Sequence, residues 1–141
     1  LALGDGAEPV AVEVVSLDDA LVGRRVDFLR VDVEDTELRV LQGAEETLRR
    51  CRPILVFEHS REFDASSEDL GAREAARNLG IFELLVDRLG YRIFDLDGAG
   101  PFDREEFRAG YASMRRFNFL AVPSRLDGRA ADEGSSVRSV A

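Results

Sequence analysis

An α/β fold with a mostly parallel sheet is predicted by three features of the sequence. Short β-prone apolar runs alternate with segments of helical periodicity. Two of those runs, 26–33 and 54–58, end in carboxylates. The stretch between them is long enough for a crossover helix, which makes the two runs parallel neighbours. The link between the last two runs, near residues 91 and 117, is short and leaves room for an antiparallel last strand.

In chain order, Leu1 to Pro9 is small, acidic and glycine-containing, and reads as a linker or truncated loop. Val10 to Val15 (VAVEVV) predicts a strand. Ser16 caps a helical turn that Gly23 ends. Val26 to Val33 is apolar enough for a strand covered on both faces. From Thr36 to Arg50, Leu38, Leu41, Ala44, Leu48 and Cys51 keep the spacing of one amphipathic helix, with Asp35 as N-cap and Gly43 packed inside it. Arg52-Pro53 breaks that helix, and Ile54 to Glu58 follows as a strand. A polar loop, Arg61 to Leu70, leads to a helix from Ala72 to Leu89, kinked at Gly80 and capped by Gly90. Its core positions are Ala76, Leu79, Ile81, Phe82, Leu85, Val86 and Leu89. Tyr91 to Leu96 is a strand, Asp103 to Met114 a loop or short helix, and Phe117 to Val122 the last strand. Residues 10–123 thus form one domain, and 124–141, polar and aperiodic, a disordered tail.

Composition narrows the function classes. The chain has 141 residues, 45 % hydrophobic and 33 % charged, with net charge −9. That acidity excludes a nucleic-acid backbone as main partner, which needs a basic footprint. All 19 basic residues are arginine, a bias that a GC-rich genome produces as readily as physics does. One cysteine, Cys51, allows no internal disulfide and suits a reducing, cytoplasmic setting. No apolar run is long enough to span a membrane.

The candidate chemistry sits where the apolar runs stop. In open α/β sheets, ligands bind outside the carboxyl ends of the strands. Asp32 and Glu34, two apart, share a strand face there; the structural alternative has Asp32 capping a helix and Glu34 in solvent. Glu37 is a further candidate, or simply a first-turn acid favoured by the helix dipole. Glu58-His59 ends the next strand, and His59, the sole histidine, is either a general base or a surface residue. Downstream, Asp95, Asp97, Asp103 and Glu106 fall at positions one, three, nine and twelve of an EF-hand-like calcium loop, with Gly100 at six. Ala99 stands where the fifth-position oxygen ligand belongs, and Gly90 stops the entering helix.

Leu17-Asp18-Asp19, DFLRVDVEDTELRVLQGAEETLRRCRPILVFE (27–58), LGYRIFDL (89–96) and FNFLAVP (117–123) together resemble the FkbM-type methyltransferases. The family signature falls on Asp32, Val33, Glu34, Glu37, Val40, Leu41, Gly43, Ala44 and Glu58. Asp35-Thr36 replace its usual Gly-Ala. The resemblance implies the C-terminal half of a class I, Rossmann-like sheet. It implies S-adenosylmethionine as cofactor and O-methylation of a hydroxyl on a small molecule or sugar. Asp32, Glu34 and His59 would then be catalytic and Glu37 and Glu58 substrate-binding, with a divalent cation as an optional aid. The family's glycine-rich loop is expected to follow a strand. No Gly-x-Gly loop of that kind follows a strand in this sequence, and Leu3-Gly4-Asp5-Gly6 follows none, which makes the chain a fragment or a reduced relative, inactive alone. A calcium-binding module and a cofactor-less interaction domain are the alternatives. The acceptor and the oligomeric state are not specified by the sequence.

Overall fold

The computed structural model describes residues 10–33, 36–58, 76–112 and 118–124. Ser16 opens α1 (Leu17–Ala20), its side chain accepting the Asp19 N–H as predicted. Next come β1 (Phe28–Val31), α2 (Glu37–Gln42), α3 (Glu45–Cys51) and β2 (Ile54–Glu58). A helix over 76–88, α4, precedes β3 (Tyr91–Asp95), α5 (Arg104–Ala112) and β4 (Asn118–Pro123). The four strands lie in the order β1-β2-β4-β3. β1 and β2 are parallel, with Phe28 opposite Ile54 and Val31 opposite Phe57. β4 runs antiparallel between β2 and β3, so the antiparallel last strand is observed, but its internal place makes two of the three pairings antiparallel and the sheet mixed, not mostly parallel as expected.

Alternation along each strand separates two faces. One carries Val31, Leu55, Phe57, Tyr91, Ile93, Phe119 and Ala121, all buried. Leu41, Ala44 and Leu48 of α2–α3, Ile81, Phe82, Leu84 and Leu85 of α4, and Phe107 of α5 complete this core. The rings of Phe57, Phe107 and Phe119 form its centre, with Phe107 and Phe119 edge-on at 4.9 Å. The other face carries Phe28, Arg30, Ile54 and Arg92, all exposed, beside half-buried Val56, Phe94, Leu120 and Val122. The expectation of strands covered on both faces is therefore corrected. An apolar run shows that a strand can be buried, not that a second layer exists to bury it.

Several element predictions also change. Residues 10–15 form no strand, and Val10, Val12 and Val14 are 77–89 % exposed. Among the described residues no strand pairs with them, and β propensity alone does not make a strand. The single helix over 36–50 is two helices, broken at Gly43-Ala44. The break is held by Asp18, whose N–H donates to the Gly43 carbonyl and whose carboxylate accepts the N–H groups of Glu46 and Thr47 at 3.0 and 2.7 Å. Thr36, not Asp35, stands at the N-cap position of α2. Asp35 lies outside the described residues, as do 1–9, the predicted loop at 61–70, the helix start at 72 and the tail beyond Ser124.

α4 runs through Gly80 without interruption and widens into a π turn at Glu83–Arg88. The glycine serves close approach instead: a Cβ there would lie 2.7 Å from Leu38 Cδ2 of α2. Leu84 and Leu85, three and four residues after buried Ile81, both enter the core, while Leu79 stays 39 % exposed and Ala76 exposed. Gly90, at φ +65°, ends the helix as predicted. Arg52 locks the same corner, donating to the carbonyls of Leu89 and Gly90 and stacking 4.7 Å from the Tyr91 ring centre.

Candidate functional site

β1 and β2 run in the same direction and finish at the same edge of the sheet. Carrying their register one residue beyond Val31–Phe57 sets Asp32 beside Glu58. Both continue the exposed face, Asp32 following Phe28 and Arg30, Glu58 following Ile54 and Val56. Asn118 of β4 lies opposite Glu58 on its other side. Three neighbouring strand ends thus present carboxylate, carboxylate and amide in a row. The sequence reading missed Asn118, because its place depends on β4 inserting between β2 and β3. The signal that could have found it is the polar residue opening FNFLAV.

Arg30 and Asp32 form an ion pair, with side chains 64 % and 37 % exposed. So solvated a pair adds little stability and leaves Asp32 open to exchange for a ligand. A cleft of about 730 Å³ runs along the free side of β1, bounded by Val14 and Val15, by Leu29 to Val31, and by Val40 of α2. Val33 and Thr36, which flank the Asp32 turn, also border it. Chemically, the row can orient a hydroxyl between two carboxylates and take up its proton.

Among the other candidates, Glu37 is in the first turn of α2 and only 3 % exposed. Glu34 and His59 lie outside the described residues. The calcium-loop residues serve backbone geometry. Asp95, 8 % exposed, accepts the Ala99 N–H at 2.7 Å. Asp103 and Glu106 cap the start of α5 reciprocally, each carboxylate accepting the other's N–H. Among the described residues, no three His, Cys, Asp or Glu side chains are grouped to hold a metal ion. No described helix is long and apolar enough to cross a membrane.

The family model of the methyltransferase FkbM domain matches residues 1–93. The chain belongs to the FkbM methyltransferase family. No curated protein and no solved structure matches the chain. FkbM membership implies methyl transfer and, in general, S-adenosylmethionine. Cradling that cofactor takes a glycine-rich loop between a strand and a helix, with free backbone N–H groups. One Gly-x-Gly does follow a strand, Gly98-Ala99-Gly100 after β3, contrary to the sequence reading. Two of its N–H groups are engaged: Gly98 donates to the Asp95 carbonyl and Ala99 to the Asp95 carboxylate. A Cβ on Gly100 would lie 2.8 Å from the Ile93 carbonyl, so this glycine serves a turn folded back on β3. Among the described residues of this FkbM chain, nothing fits the cofactor.

Proposed function

We propose that the chain is the acceptor-side half of an S-adenosylmethionine-dependent O-methyltransferase. Asp32 and Glu58 hold the acceptor hydroxyl, on a small molecule or sugar, and Asp32 takes its proton as the oxygen is alkylated. Glu34 and His59, which follow Val33 and Glu58 in the sequence, are assigned to the acceptor side with them, and Glu37 steadies the first turn of α2. The observation that carries this reading is the shared register of β1 and β2, which brings two strand-end carboxylates side by side. Their position at the carboxyl edge of a parallel pair supports a ligand site. The cofactor-binding half packs on the exposed sheet face and along the free edge of β1, beside the cleft that reaches Val33. Bare β edges and apolar sheet faces are covered in folded proteins, which supports that arrangement.

Titration calorimetry tests the division of labour. The 141-residue chain alone is expected to show no S-adenosylmethionine binding tighter than about 10 μM. A tighter constant would place the cofactor site within this chain and overturn the reading. In an enzyme containing both halves, Asp32→Asn is expected to lower kcat at least about tenfold with cofactor affinity unchanged. Equal turnover in the variant would remove Asp32 from the reaction.

A further inference from the structure

A second cleft, about 560 Å³, opens between α4 and α5. Its floor is apolar, built from the Phe82 ring and the Leu79 side chain, with Ala76 at its mouth. The polar groups on its wall are few, and they differ in how they are engaged. Arg104 is fully occupied: it reaches Glu83 at 3.0 Å, pairs with Asp87 and lies 5.5 Å over the Phe82 ring. The Glu83 hydrogen bond, with Asp87 beside it, raises its pKa further. Asn78 is the opposite case. It is 2 % exposed, and its amide nitrogen donates to no protein acceptor. A buried donor without an acceptor is costly, and natural structures keep few of them. Arg108 lies one turn beyond Arg104 on the same side of α5 and, among the described residues, makes no ion pair. Glu105, on the same rim, does not engage it.

We propose that this cleft binds an apolar acyl compound through its carboxylate. The chain packs on Leu79 and Phe82, and the carboxylate meets the Arg108 guanidinium on the rim. One unpaired guanidinium over an apolar floor fits a monoanion. A dianionic phosphate would leave a second charge facing Glu105. The ligand's role as methyl acceptor rests on the methyl-transfer reading; its binding does not.

The test is calorimetry of the chain with octanoate and, separately, with octanol, in the absence of S-adenosylmethionine. Octanoate is expected to bind and octanol to bind at least about fivefold more weakly. Arg108→Gln, a surface change, should weaken octanoate about tenfold and leave octanol unaltered. Ala76→Trp, which narrows the mouth, should weaken both ligands, with thermal unfolding showing that each variant remains folded. Absence of octanoate binding up to about 5 mM overturns the proposal. So does binding that both variants leave unchanged, or an Arg108→Gln chain that holds octanoate as well as the parent does.

Discussion

The two faces of the sheet are made of similar residues and have opposite fates. Phe57 is wholly buried beneath the helices, whereas Phe28, one strand away and on the other face, is 57 % exposed. Ile93 is fully buried and Ile54 is 44 % exposed. Hydrophobicity therefore does not distinguish the covered face from the open one. What distinguishes them is the supply of amphipathic helices, and α2 to α5 serve one side. The open face is where the strand-end carboxylates emerge, so the part of the molecule prepared for a ligand is also the part that no second layer covers among the described residues.

Substitutions on the two faces should differ accordingly. Phe57→Ala removes a ring stacked on Phe119 at 5.5 Å and should cost about 3–5 kcal/mol in urea unfolding. Asp18→Ala, in the helical layer, should cost about 1–2 kcal/mol at pH 7, since it frees two N–H groups at the start of α3. Burial alone would raise the Asp18 pKa; hydrogen bonds from Thr47 and the Glu46 N–H, with Arg50 nearby, outweigh burial and hold it below its usual 3.8. A depressed carboxylate contributes stability above its unfolded value, and that contribution is lost as pH falls through the folded one. The gap between parent and variant urea midpoints should therefore persist down to about pH 4 and close below it. Phe28→Ser, on the open face, should change stability by no more than about 0.5 kcal/mol and reduce self-association in light scattering. A Phe28 effect as large as that of Phe57 would show that the open face is covered, and the comparison would fail.

Where local pattern and tertiary context agree, the sequence was legible. The Gly90 cap, the Ser16 cap and the Arg52-Pro53 break follow from residues a few positions apart, and the β1–β2 pairing from the single crossover between two apolar runs. The expected Asp32–Glu58 neighbourhood came with them. The failures share a long-range cause. Asp18 acts on N–H groups 28 and 29 residues away, so its division of one helix into two leaves no local trace. VAVEVV has the composition of a strand and lacks a partner strand among the described residues. Asn118 joined the site row only through the internal position of β4.

That internal position also sets a schedule for synthesis. β4 is the last of the four described strands to be made, and it is the one that joins β2 to β3. Until residues 118–123 leave the ribosome, at about 5–20 residues per second, β2 and β3 each have an open edge facing the gap. The nascent chain can close β1 onto β2, a pairing across one crossover, but its sheet cannot become continuous. Translation pausing before Asn118 thus leaves two separate β edges, Leu55–Phe57 and Tyr91–Ile93, without the neighbour they share.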